Sequence, residues 1–336
     1  MPRFAVLLPA RDAVRTVRAA AVSILRQTER DLALVCVDDG SSDGTGEVLD
    51  RLAARDRRVR VVRGPGEGIA RALERGRAAC DASLIARMDA DDVAHPGRLA
   101  LQREALGANP ALAAVGGQVR LFPRREVRPG MQRYAAWLNG LTTPEAVARD
   151  LLVEAPLCHP ATAIRAAALA SVGGWRDGPF PEDYDLWLRL AAAGGALAAV
   201  PHPVLDWRER PDRLTRTDPR YALARHVALK CGFLARGPLG SAGAREVVLW
   251  GAGPTGKAFA DALHREGIGV AAFLEVDTAK IGRRLRGAPV LAFTDAPRFR
   301  GTPILVAVGA PGARDLIRAE LQRMGFAELR DFRCVS

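Results

Sequence analysis

The chain has 336 residues and a formal net charge of +11, with 49% hydrophobic and 26% charged residues, a composition that suits a globular protein with room for two hydrophobic cores. No apolar run nears the roughly 18 residues that cross a bilayer, and "MPRFAVLLPARD" at the start is too short an apolar stretch for a signal peptide, so a cytoplasmic protein is expected. The basic residues are nearly all arginine, scattered and without interleaved aromatics, so nucleic acid is not expected as a partner; an anionic small substrate or an anionic membrane surface stays compatible.

Along the chain, "FAVLLP" reads as a strand and "AVRTVRAAAVSILRQT" as a helix. "LALVCVDDG" and "RVRVVRG" are strands with the helix "GTGEVLDRLAARD" between them, and the helix "GIARALERGRAAC" leads to the strand "SLIARM". This alternation predicts a mostly parallel α/β sheet, whose ligands sit beyond the carboxyl ends of the strands. From 121 to 235 the pattern loosens into the helices "QRYAAWLNGL" and "PEAVARDLLVEA", a strand-like "ATAIR", the loop-like "WRERPDRLTRTDPR" and a closing helix "YALARHVALKCGFLA". The Gly-rich "RGPLGSAGARE" is the linker, giving domains 1–235 and 246–336 around 236–245. After it, "EVVLWG", "GVAAFLEV" and "TPILVAVGA" alternate with helices to make a small Rossmann-like α/β domain. Cys36, Cys80, Cys158, Cys231 and Cys334 are far apart, with no CxxC pair, which speaks for reduced thiols.

Two strands end in acid: "LALVCV" in Asp38 and Asp39, "SLIARM" in Asp89, Asp91 and Asp92. Two like charges at about 4 Å cost roughly 4 kcal/mol at an effective dielectric near 20. If strand geometry persists, Asp89 and Asp91 stand side by side while Asp92 faces elsewhere and is structural. Such a pair suits Mg²⁺ or Mn²⁺ with positions left for phosphate oxygens. Acids here also serve as turn formers or early-helix charges before "HPGRL", so both readings stand. Glu182 and Asp183 in "PEDYDLWLRLAAAGG" offer a general base or, alternatively, charges that complement a helix dipole, whereas Trp187 and Leu190 read as core. In "VVLWGAGPTGKAF", Gly251, Gly253 and Gly256 lie between a strand and a helix, with Glu275 and Asp277 beyond; a second nucleotide site and a purely structural or docking domain are both open.

Residues 4 to about 215 resemble a family 2 glycosyltransferase of the GT-A fold. The resemblance rests on "LLPARDAVRTVRAAAVSILRQT", "VDDGSSDGT", "GIARALERG", "ARMDADD" before "HPGRLALQ", "HPATAIR" and "VGGWRDGPFPEDYDLWLRLAAAG", in that order. It implies that Pro9, Arg11 and Gly68 edge the nucleotide pocket and that Asp39, backed by Asp38, meets the base or ribose. Arg87 and Asp89 would hold the donor sugar and ribose, and Asp91, with Asp89, would ligate Mn²⁺ or Mg²⁺ at the diphosphate. Asp183 would be the catalytic base, with Glu182 beside it, for transfer with inversion from a UDP-sugar to a saccharide or lipid-linked acceptor in bacterial surface polysaccharide assembly. His159 fits the pattern, in a site role or a structural one. Two departures stand out: Glu74 where relatives often carry Asn, and Arg210 where they often carry His, which leaves Arg208, Arg210 or Arg213 to meet the diphosphate. The C-terminal part resembles the nucleotide-sugar-binding domain of bacterial sugar O-acyltransferases. The rival reading is a catalytically idle sugar-nucleotide-binding or scaffold protein working through that domain. An oxidoreductase is disfavoured because the domain is small and lacks a catalytic Tyr/Lys or His pair.

Overall fold

The computed structural model describes residues 3–336, which form two compact units. Among the described residues, one comprises 3–148, Pro156–Gly178 and Glu182–Thr217; the other comprises Arg149–Ala155, Pro179–Pro181 and Asp218–Ser336. The division drawn at residue 235 therefore moves to 217/218. The helix Leu223–Arg236 belongs to the second unit, where it buries Val227, Cys231 and Leu234. The segment read as a linker holds a helical turn, Pro238–Ser241, that buries Leu239.

In the first unit β1 (Phe4–Ala10), β2 (Leu32–Asp39), β3 (Val59–Gly64) and β4 (Leu84–Arg87) are parallel neighbours in the order β3-β2-β1-β4. The unbroken apolar runs in β1 and β2 are buried throughout, as a sheet covered on both faces requires. The helices Val17–Leu25, Thr45–Ala53 and Ile69–Ala78 supply the crossovers. Gly76 allows the last of these onto the sheet, since a Cβ there would fall 2.2 Å from Leu7 Cδ1.

The sheet continues through β5 (Val93–Ala94), β6 (Leu112–Phe122), β7 (Ala163–Arg165) and β8 (Ala196–Arg208) in the order β4-β7-β6-β8-β5, with β7 antiparallel to both β4 and β6. This mixed half matches the GT-A expectation. The two long strands β6 and β8 pair side by side and escaped the periodicity reading. Gly116, Gly117, Pro201 and Pro203 interrupt their patterns, and the pairing slips in register beside Gly117 and Gln118.

The second unit has its own open sheet of β9 (Glu246–Trp250), β10 (Gly269–Glu275), β11 (Arg284–Leu285), β12 (Ala288–Ala292), β13 (Ile304–Val306) and β14 (Phe332–Cys334), ordered β11-β12-β10-β9-β13-β14. All pairs are parallel except β11 with β12. Lys230 Nζ donates to the carbonyls of Val153 (2.7 Å) and Val335 (3.1 Å), tying residues 149–155 to this unit's C-terminus.

Candidate active site

The acidic segment begins where β4 stops, and two buried side chains fix its path. Arg98, without solvent exposure, donates to the carbonyls of Arg87 (2.6 Å) and Thr162 (3.1 Å) and to Gln102 Oε1 (3.2 Å). Gln102 Nε2 donates to Ala161 O at 2.7 Å. These polar residues lie on the buried face of the helix Arg98–Ala108, beside Leu99 and Leu106. The reading of "HPGRLALQ" passed over them; the available signal was a pair of polar residues spaced i, i+4 on an apolar stripe.

Beyond Arg87 the backbone leaves strand geometry, so the alternation that aims Asp92 away does not extend to it. One carboxylate oxygen from each of Asp89, Asp91 and Asp92 lies within 4.8 Å of the others. Asp92 thus joins the pair, with a role on both sides. Its Oδ1 accepts from the Arg208 N–H at 2.7 Å, and its buried Oδ2 has no hydrogen-bond partner. Arg87 NH1 contacts the Asp89 carboxylate, and Arg87 Nε is buried without a hydrogen-bond partner. Arg210 Nε lies 3.2 Å from Asp91 Oδ2. Burial and then the neighbouring Asp89 raise the Asp91 pKa, while burial, Asp89 and Asp91 push Asp92 well above the usual carboxylate range. Three carboxylates with one orphaned buried oxygen are a hard-ligand set of the kind that suits Mg²⁺ or Mn²⁺. Of the three arginines offered to a diphosphate, Arg208 donates through Nε to the Asp91 carbonyl (2.7 Å). Arg213 is drawn to Glu209 (3.0 Å) and over the Trp207 ring (4.3 Å).

At the ends of β1 to β3 the predicted nucleotide edge is held from within. Asp39 accepts from the backbone N–H groups of Gly66 (3.1 Å), Glu67 (3.1 Å) and Gly68 (2.8 Å). Asp38 pairs with Arg63 and accepts from Ser41 N at 3.1 Å. Both aspartates are buried; Asp39 holds the turn after β3, and Asp38 holds the start of the turn after β2 and ties it to β3. Gly68, at φ +94°, opens the helix Ile69–Ala78 in a conformation that favours glycine. Pro9 is buried in β1, and exposed Arg11 reaches Gly66 O at 3.3 Å. Glu74, at the first departure, pairs with Arg77 and accepts from Trp175 N at 2.6 Å. It braces the stretch before the Glu182 helix.

That helix, Glu182–Ala192, carries Glu182 and Asp183 in its first turn and buries Trp187 and Leu190, the two core expectations. Trp175 Nε1 donates to His159 Nε2 at 2.9 Å, which leaves the imidazole proton on Nδ1, 3.8 Å from Glu182 Oε1. Arg87 links this group to the aspartates. Burial opposes its charge, but Asp89, Glu182 and Asp92 hold its pKa above the ordinary value. Burial first, and then the charge of Arg87, push His159 well below the usual imidazole range. The unfolded chain takes up a proton near pH 6.5 that the folded chain refuses, so it binds more protons below that pH and folding weakens as pH falls. The slope reaches about 1.4 kcal/mol per pH unit for one such group. Urea midpoints of wild type should drop from pH 7 to 5.5 more steeply than those of His159→Asn; equal slopes would show that His159 titrates freely.

In the second unit, Gly256 permits tight packing, because a Cβ there would lie 1.8 Å from Gly251 O. Gly253 faces open space, with nothing within 4 Å of an added Cβ. The Glu275 carboxylate accepts from Ala252 N (3.2 Å), Val276 N (2.9 Å) and Asp277 N (3.2 Å) and pairs with Lys280 (3.1 Å). Among the described residues, no helix is long and apolar enough to cross a membrane.

The model of the family described as "Glycosyl transferase family 2" matches residues 5–173. An uncharacterized glycosyltransferase of Haemophilus influenzae is 27% identical over 180 residues, 53% of this chain and 65% of that protein, so the chain spans just under two thirds of that relative. The amylovoran biosynthesis glycosyltransferase AmsE of Erwinia amylovora is 27% identical over 195 residues, 58% of this chain and 71% of AmsE. Among solved structures, the mannosyltransferase PcManGT from Pyrobaculum calidifontis, in complex with GDP-Man and Mn²⁺, superposes with a TM-score of 0.51 at 20% identity. That match covers 79% of this chain and 69% of PcManGT, a likeness of fold.

Proposed function

The chain belongs to glycosyl transferase family 2, and from that premise we propose that it moves a sugar from a nucleotide-sugar, a UDP-sugar in our reading, to a hydroxyl of a saccharide or lipid-linked acceptor. The observation that carries the reading is the meeting of Asp89, Asp91 and Asp92 beside the buried Arg87, at the end of the sheet where an α/β fold binds its ligand. The amylovoran role of AmsE supports surface polysaccharide assembly as the setting.

Asp91 and Asp89, with Asp92 behind them, would hold Mn²⁺ or Mg²⁺, which when bound offsets charge on the departing nucleoside diphosphate. Arg87 would steady the donor end. Asp183 takes the proton of the acceptor hydroxyl as that oxygen attacks the anomeric carbon opposite the leaving group, so the product is inverted without a covalent intermediate. Glu182, against His159, fixes the turn that presents Asp183. Pro9, Arg11 and Gly68 line the nucleotide end, on a turn that Asp39 holds.

The test is release of nucleoside diphosphate in Mn²⁺, with thermal shift used first to choose the donor from a panel that includes GDP-mannose. Asp91→Ala and Asp183→Asn should both lose turnover. If both keep wild-type rates, the proposal is wrong.

A further inference from the structure

The second cation of the acidic cluster is held on one of the three carboxylates that could ligate a metal ion. Arg210 Nε lies 3.2 Å from Asp91 Oδ2 and 3.5 Å from Asp212 Oδ1, and its side chain is 46% exposed, so the guanidinium can leave without unpacking the fold. Arg87 contrasts with it: its side chain is 5% exposed and stays on Asp89. The third member, Asp92, is buried with Oδ2 lacking a hydrogen-bond partner and grouped with the oxygens of Asp89 and Asp91.

We propose that Arg210 is a built-in counter-ion that makes divalent metal binding at Asp89, Asp91 and Asp92 conditional on a nucleoside diphosphate. This rests on the reading of the cluster as a metal site. A divalent ion arriving alone must displace Arg210 from Asp91 and then tolerate a guanidinium at its side. Like charges placed together in a partly desolvated site are strongly disfavoured. A diphosphate removes that conflict, because its oxygens ligate the ion and also accept from the displaced guanidinium, which forms charge-assisted hydrogen bonds with phosphate. Metal and nucleotide then raise one another's affinity by the same factor. Arg210 is in this account a positioning residue: it keeps the free protein from loading a metal without a donor.

The experiment is a Mn²⁺ titration of the full chain at low salt, with free Mn²⁺ read by electron paramagnetic resonance, with and without saturating UDP or GDP. Wild type should bind Mn²⁺ weakly alone and about tenfold tighter or more with one of the nucleotides, a change of about 1.4 kcal/mol. Arg210→Gln should bind Mn²⁺ alone about tenfold tighter than wild type, with a smaller nucleotide effect. Arg125→Gln, which removes one charge from an 85% exposed site, should match wild type. The proposal is overturned if Arg210→Gln binds Mn²⁺ no tighter than wild type without nucleotide, if Arg125→Gln gives the same gain, or if nucleotide leaves wild-type affinity unchanged. Asp91→Ala separates this from the functional reading. If it loses the bound Mn²⁺ while the Arg210 result fails, the metal site stands and only the counter-ion role falls; if it binds Mn²⁺ as wild type does, the metal site falls and this inference with it.

Discussion

Asp183→Asn should lower kcat by about 10² to 10⁴, the range over which a positioned general base contributes, with little change in the donor KM. The substitution keeps shape and removes basicity. Asp183 Oδ1 accepts from the Tyr184 N–H at 2.7 Å at the start of the helix Glu182–Ala192, and an asparagine carbonyl can accept the same bond, more weakly than a carboxylate. The loss therefore reports proton transfer. It is measured as the initial rate of nucleoside diphosphate release at saturating donor and acceptor. Two controls give it meaning: far-ultraviolet dichroism unchanged from wild type, and donor affinity by calorimetry within about twofold, since removal of a group that acts only in the transition state leaves ground-state binding alone. A kcat within threefold of wild type would remove Asp183 as the base.

Arg98→Leu should cost about 2–6 kcal/mol of stability, the sum for two buried acceptors left without a donor at about 1–3 kcal/mol each. The Arg87 carbonyl and Gln102 Oε1 lose the donor they have in Arg98, while the Thr162 carbonyl keeps the Arg87 N–H at 3.0 Å. Leaving a buried acceptor unmade costs about 1–3 kcal/mol each. The Arg98 guanidinium has no carboxylate within its hydrogen-bond set, and burial brings its pKa down to about 10, so this cation is held by carbonyl dipoles. Urea unfolding followed by the tryptophan fluorescence of the first unit measures the loss. A shift below about 1 kcal/mol would mean that water replaces the guanidinium, and that the path of residues 88–92 does not depend on it.

These two sites differ in how far they could be read from residues alone. The parallel half of the sheet was legible because β1, β2 and β4 are short apolar runs set between amphipathic helices, and the acids that end them were visible as breaks in that pattern. Asp183 was legible as an acid opening an apolar helix. Arg98 was not, because periodicity weighs residues one at a time, whereas the carbonyls it satisfies are set by the meeting of β4 with the segment before β7. The strand-end position of Asp39, which carries the expectation of a ligand contact, is visible in the sequence; its three N–H partners are not, because they come from a turn 27 to 29 positions away. The long strands β6 and β8 were hidden by glycine and proline at their bend. Arg210 was noted as an unusual residue, but its contact with Asp91 depends on β8 running beside the short β5, which no local pattern announces.

The turn gripped by Asp39 bears on how a nucleotide would be met. With three successive amides bound to one buried carboxylate, the backbone from Gly66 to Gly68 is already fixed in the free protein, so docking against it carries no conformational entropy loss for that stretch. In the proposed complex, recognition at this edge would be a rigid fit, with any ordering left to other parts of the chain.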